Sequence, residues 1–341
     1  MTDRALQSLD DLAAAGLADP AEPRLAEVER AFRIRVTPEM VAAAAHPAVA
    51  RQFVPAVEEL SIGAGELSDP IGDVARSPVT GVTHRYRDRV ILHVTRTCDV
   101  YCRFCFRREV VGGEGMLSDA DLAAALDYIE RTEAVREVIL TGGDPLVLSP
   151  RRLQAIVGRL GQIAHLDQLR IHSRVPVVTP QRVDEAMIRA LRVPVPVWLV
   201  VHVNHEAELG LDSRAALGRL ADAGIPLLSQ SVLLRGVNDS ADALEALFRA
   251  LLRLRVKPYY LHHCDLARGA GHFRTTIALG RQIMAELRRR LTGIGLPTYV
   301  LDIPGGFGKV PVTGDHLVED GPGRWLVRDP DGRMHPYADP A

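Results

Sequence analysis

The sequence predicts an α/β fold, a partial (β/α) barrel with an N-terminal helical appendage and a short C-terminal tail. Seven apolar runs of strand length fall at 90–95, 137–141, 169–173, 197–203, 227–233, 258–263 and 298–302, with stretches of helical periodicity between them. Strands joined by such crossovers form right-handed parallel units, and six or seven units curl toward a barrel. Polar residues follow each apolar run on the same side, where barrels of this kind gather their chemistry. A chain of 341 residues, 47% hydrophobic, suits one large domain with an appendage.

Residues 1–78 read as the helical appendage. Leu6, Leu9 and Leu12 recur at helical spacing, with Asp10 and Asp11 on the polar side. Thr37 before Pro38 reads as an N-cap with proline at the first helical position. This stretch shows no chemistry, so a cap or an oligomer contact is its expected role. The barrel is assigned to residues 79–310, led in by Arg85 and Arg89, each suited to an anionic group. Ser118 caps a helix through Arg131, and Ser149-Pro150 starts the next. Further helices are expected over Gln181–Leu191, Ser213–Ala223, Ser240–Arg255 and Thr276–Thr292. Residues 311–341 read as a polar tail or a short hairpin over the barrel.

The bulk properties exclude several classes. A net charge of −2 gives no basic footprint for nucleic acid. No segment is long and apolar enough to span a bilayer, and the first residues lack the apolar core of a secretory signal. Four cysteines, three of them clustered, point to metal chemistry in a reducing compartment, with the cytoplasm the expected place.

The strand ends carry the motifs. The first run leads into Cys98-Asp-Val-Tyr-Cys102-Arg-Phe-Cys105, three cysteines with gaps of three and two residues. Three thiolates suit an iron–sulfur cluster with one position left open. A structural zinc using these three with Cys264 or a histidine is the competing reading, although no second cysteine knuckle is present. The pattern resembles the radical S-adenosylmethionine (SAM) superfamily. That resemblance implies a 4Fe-4S cluster on Cys98, Cys102 and Cys105, with SAM on the fourth iron. Thr141-Gly142-Gly143-Asp144-Pro145 closes the second strand, and its glycines let backbone approach a ligand. In that superfamily a similar motif meets the SAM amino group, with Asp144 standing where Glu is common.

Pro304-Gly305-Gly306-Phe307-Gly308-Lys309 follows the last strand. Val310-Pro311 after the lysine rules against a nucleotide P-loop. A lysine on a glycine loop at a barrel mouth can instead carry pyridoxal 5'-phosphate (PLP). Together with Thr83-His84-Arg85-Tyr86, Ser173-Arg174-Val175-Pro176, Gln230-Ser231-Val232-Leu233 and Cys264-Asp265-Leu266, the chain is similar to the lysine 2,3-aminomutase family. The resemblance implies PLP on Lys309, with Arg107 pairing with the substrate α-carboxylate. It also implies Asp265 and Asp302 on the side-chain ammonium. A carboxylate matches a bidentate arginine, and a desolvated ammonium needs acidic partners. Gly142, Gly143, Asp144, His202, Arg85, Arg89 and Arg174 are assigned to cofactor contacts by their place at the barrel mouth. The partners expected are a small-molecule amino acid, an electron donor such as flavodoxin or ferredoxin, and a second copy of the chain.

Three departures bear on the reading. Ser240 stands where longer relatives carry a zinc-site cysteine, so a structural zinc is not expected. Phe307 replaces a glycine in the usual loop. The short length and Cys105-Phe106-Arg107-Arg108 are similar to enzymes that make β-lysine for elongation factor P, but that group does not keep an acid at the place of Asp302. The alternatives are a mutase acting on arginine or another cationic amino acid, an enzyme making β-lysine for elongation factor P, and a non-enzyme that serves as an iron–sulfur sensor or a translation-factor partner.

Overall fold

The computed structural model describes residues 4–113, 115–314, 316–322, 324–329 and 331–338. Four short helices come first: α1 (Leu9–Ala14), α2 (Leu25–Ala31), α3 (Pro38–Ala43) and α4 (Pro47–Phe53). The barrel follows as β1 (Val82–Tyr86), β2 (Arg89–Thr95), α5 (Asp119–Arg131), β3 (Glu137–Gly142), α6 (Pro150–Leu160) and β4 (Gln168–Ser173). It continues through α7 (Val175–Val178), α8 (Glu185–Ala190), β5 (Val197–His202), α9 (Leu211–Asp222) and β6 (Leu227–Leu233). It closes with α10 (Ala241–Arg253), β7 (Val256–His263), α11 (Ile277–Arg290), β8 (Thr298–Asp302) and β9 (Lys309–Pro311).

These strands form one nine-stranded sheet in the order β1 to β9. Neighbours from β2 to β8 are parallel, while β1 and β9 run antiparallel at the two edges. The sheet curls into a partial barrel. All seven expected strands are present, and the β2 pattern explains its sequence. Val90, Leu92 and Val94 are buried against the helices, while Arg89, Ile91 and His93 face inward and are only half-buried. Period-two alternation therefore sends a wholly apolar set outward to the helix layer and leaves a mixed set with the polar side chains facing the barrel interior. The same sorting in β4 sends Leu169 and Ile171 out and Gln168, Arg170 and His172 in.

Helix starts follow the caps. Ser118 Oγ accepts from Asp121 N, Ser149 Oγ from Arg152 N, Ser240 Oγ from Ala243 N, and Thr276 Oγ1 from Leu279 N. An arginine lies in the last turn of α5, α6, α8, α9, α10 and α11, complementing each helix dipole.

Several local expectations change. The helix expected over Gln181–Leu191 is interrupted: a single 3₁₀ turn spans Pro180–Arg182, and α8 starts only after Asp184, whose carboxylate caps Met187 N. Leu6 is not helical but bridges to Val36 in an antiparallel pair. Thr37 precedes α3 but makes no cap bond; its Oγ1 donates to Val178 O at 2.6 Å. Where a tail or short hairpin is expected, β10 (Leu317–Glu319), β11 (Arg324–Arg328) and β12 (Met334–Ala338) form a three-stranded antiparallel sheet. Among the described residues, no helix is long and apolar enough to cross a membrane.

Candidate active site

A cavity of about 730 Å³ lies inside the curl, lined at once by Cys98, Cys102, Cys105 and Lys309. Arg85, Arg89, Arg107, Gly142, Gly143, Asp144, Arg174, His202, Asp265 and Asp302 line the same cavity. The fold thus brings every candidate residue to one space, because each stands at an inward position or at the loop that ends a strand.

The cysteine loop leaves β2 and is clamped onto the appendage. Arg103, between two of the cysteines, is fully buried. Its Nε and Nη2 donate to Glu59 at 2.9 and 2.6 Å, and its Nη1 donates to Arg33 O at 2.9 Å. Arg108 reaches the same Glu59 and lies over the Phe32 ring at 3.5 Å. Arg174, from the end of β4, is also buried. Its Nη2 donates to Gln52 Oε1 at 2.6 Å and Glu208 Oε2 at 2.7 Å, and its Nη1 meets Cys102 Sγ at 2.8 Å. Burial pushes all three thiols above their ordinary values, Cys105 to about 11. A thiolate there would need a compensating cation, and iron held by these three cysteines would supply that charge. Among the described residues no three of His, Cys, Asp and Glu are grouped to hold one metal ion. The cysteines therefore fit the corners of a multi-iron cluster better than a single zinc.

The loop after β3 packs on this one. Gly142 has φ +111°, and a Cβ there would lie 2.6 Å from His93 Nδ1. A Cβ on Gly143 would lie 2.4 Å from Thr97 O. Gly142 packs on the His93 side chain and Gly143 on the backbone of the cysteine loop, where Gly143 N donates to Thr95 O and Asp144 N to Thr97 O. The expectation for Asp144 also changes. Its Oδ1 accepts from Leu146 N and Ser173 Oγ, and its Oδ2 from Arg174 N and Val175 N. With four donors on two oxygens, no acceptor site remains for a SAM amine. Burial raises this carboxyl to about 6.

At the other end of the cavity, antiparallel pairing sets Asp302 opposite Lys309, so both side chains face inward. Lys309 Nζ lies 3.1 Å from Asp302 Oδ2 and 3.2 Å from His262 Nδ1. His262 Nδ1 is also 3.2 Å from Asp302 Oδ2. Burial lowers the Lys309 amine, with Asp302 opposing it. Burial would raise Asp302, but the His262 hydrogen bond and the Lys309 charge hold it below the usual carboxylate range. Asp265 behaves oppositely. Burial, then the nearby Asp302 charge, raise its carboxyl to about 7, and its carboxylate accepts no hydrogen bond among the described residues.

Arg107 donates from Nε to Asp73 Oδ2 at 2.8 Å, and Arg85 Nη2 meets Asp73 Oδ1 at 3.2 Å. Arg89 stacks over Tyr86 at 3.8 Å and pairs with Asp88. Nε2 of His172, of His202 and of His262 is buried without a partner, and all three residues line the cavity. Buried polar atoms of this kind call for a polar ligand, so the residues fit cofactors in this space.

Sequence reasoning missed Gln52, Glu59, Asp73, Glu208 and His262. The appendage, read as without chemistry, supplies the first three. Two signals were available. Arg103 and Arg108 flank cysteines in a loop that must be buried, so each demands an acid. His262 shares the inward parity of Tyr260 in β7.

Comparison with known proteins agrees with this geometry. The family model for the radical SAM superfamily matches residues 92–208, and that for lysine-2,3-aminomutase matches residues 284–341. The L-lysine 2,3-aminomutase of Clostridium subterminale is 39% identical over 324 residues, covering 94% of this chain and 78% of the relative. That of Acetoanaerobium sticklandii is 43% identical over 293 residues, covering 86% and 71%. The glutamate 2,3-aminomutase of Clostridioides difficile is 37% identical over 267 residues, covering 78% and 63%.

Proposed function

Because this chain belongs to the lysine 2,3-aminomutase family of radical SAM enzymes, we propose that its substrate is L-lysine and its product β-lysine. The family is one of isomerases that act on amino acids with a 4Fe-4S cluster and SAM. The observation that carries the substrate reading is the pair of acids, Asp265 and Asp302, beside Lys309 on the cavity that also holds the three cysteines. When bound, the cluster and SAM would supply a carbon-centred radical, and PLP would supply the carbonyl that gives the substrate's own α-amino nitrogen the unsaturation it needs to migrate.

The chain's own residues do the rest. Cys98, Cys102 and Cys105 hold the cluster at one end, and Lys309 holds PLP at the other. Burial favours the neutral form of the Lys309 amine, which is the form able to capture a carbonyl. His262 and Asp302 lie within hydrogen-bond reach of that amine and orient it. Arg107 offers a fork to the α-carboxylate. Asp265 and Asp302 face the distal cation, and the same two acids repel an anionic side chain such as glutamate's. The buried partners around Arg103 and Arg174 keep the cysteine loop fixed and exclude water. Residues 1–78 act as a cap, and the electron donor is a low-potential carrier such as flavodoxin or ferredoxin in the cytoplasm. Mass analysis of the product formed from lysine, SAM, PLP and dithionite tests the reading. β-Lysine is expected; turnover of arginine alone overturns it.

A further inference from the structure

One segment of the appendage touches Arg107, the loop after Asp265 and the glycine loop before Lys309. Leu67 N donates to Leu266 O, and Glu66 accepts from Gly269 N, which ties the segment to the loop that begins at Asp265. Gly305 N donates to Pro70 O at 3.0 Å, and a Cβ on Gly72 would lie 2.8 Å from the Gly305 backbone, which locks it into the loop of Lys309. Asp69 caps the turn, accepting from Asp73 N and Val74 N at 2.9 Å each. The turn delivers Asp73 between two arginines.

The geometry at Asp73 is specific. One oxygen takes Arg107 Nε at 2.8 Å and the other takes Arg85 Nη2 at 3.2 Å. Arg85 Nη2 also donates to Ile71 O at 2.6 Å, so the bridge is anchored to the segment itself. Among the described residues Nη1 and Nη2 of Arg107 make no hydrogen bond. A guanidinium offers two forked edges, and Asp73 takes a donor from only one of them. The Phe106 ring, 4.5 Å from the Arg107 guanidinium carbon, supports its face.

We propose that Asp73 is the positioning residue of the α-carboxylate site: it holds Arg107 by Nε and turns the Nη1–Nη2 edge toward the substrate, so that the enzyme selects amino acids over amines with the same side chain. This rests on the lysine reading above and extends it to a residue in the appendage. Fixing the fork beforehand lowers the ordering cost of binding, and the tie to both loops fixes the distance from Arg107 to Lys309.

Equilibrium binding to the cofactor-loaded enzyme, followed by visible absorbance, tests the proposal with lysine and with 1,5-diaminopentane, which lacks the carboxylate. The wild type is expected to prefer lysine. D73N is expected to weaken lysine by about tenfold, the order of one charge-assisted hydrogen bond, with the diamine unchanged. D73E keeps the charge and is expected to fall between; if D73N does not load its cofactors, the lysine-to-diamine ratio of D73E decides instead. Equal weakening of both ligands, or an unchanged ratio, overturns the proposal. A wild type with no preference for lysine overturns the Arg107 reading beneath it, and is told apart because no variant is needed to see it.

Discussion

The two ends of the cavity are built on opposite plans. Around the cysteines the side-chain charges are matched: Arg103 and Arg108 on Glu59, Arg174 on Glu208, and Asp144 with four donors. Around Lys309 only Lys309 and Asp302 are matched, at 3.1 Å. The Asp265 carboxylate accepts no hydrogen bond among the described residues, Nε2 of His172 and of His262 are orphaned, and His262, Asp302 and Lys309 share a single set of contacts. A charge-paired network fixes one geometry, since breaking any member strands a buried charge. An unsaturated one waits for a ligand to complete it. The first plan suits a cluster that must stay in place, the second a substrate that comes and goes.

The separation breaks most sharply at Lys309. K309A is expected to lower kcat by on the order of 10³ or more while iron and sulfide content stay at the wild-type level; loss of iron would show that the ends are not independent. The converse is E59Q, which leaves Arg103 and Arg108 facing a neutral amide in a buried site. It is expected to cost about 3–5 kcal/mol in denaturant unfolding and to lower iron content, and a fully loaded, equally stable variant would contradict the plan.

At the open end, D265N should weaken lysine binding by about 2–5 kcal/mol, seen as a raised KM with little change in unfolding midpoint. The pH profile sharpens the same point. Asp265 is raised to about 7 by burial and by Asp302, and it also faces Lys309, Arg107 and Arg85. Its ionised form is the one that takes an ammonium. As pH falls through about 7 it protonates, so kcat/KM for lysine should drop by about tenfold per unit below that, and D265N should lose this limb. The smallest effect is expected away from both ends. T37V removes the buried donor to Val178 O and should cost about 1 kcal/mol of stability with turnover intact.

Legibility followed the range of the interaction. The strands were readable because each is a local run with its own caps and ends, and the cysteine spacing is local as well. Asp144 was legible in position but not in role, because only the contacts of Ser173 and Arg174 show that its oxygens are taken. The helical spacing at Leu6 was overruled by Val36, thirty positions on, which offers its backbone as a strand partner. Thr37 turned from its cap to Val178 for the same kind of reason.

The sequence by itself determined the parallel order of elements, the three clustered thiols and the lysine on its glycine loop, since periodicity and spacing are properties of neighbours in the chain. Only the tertiary structure decided that Gln52, Glu59 and Asp73, from an appendage with no motif, complete the site. A buried charge takes whichever partner the fold brings within hydrogen-bond reach, and sequence distance sets no limit on that choice.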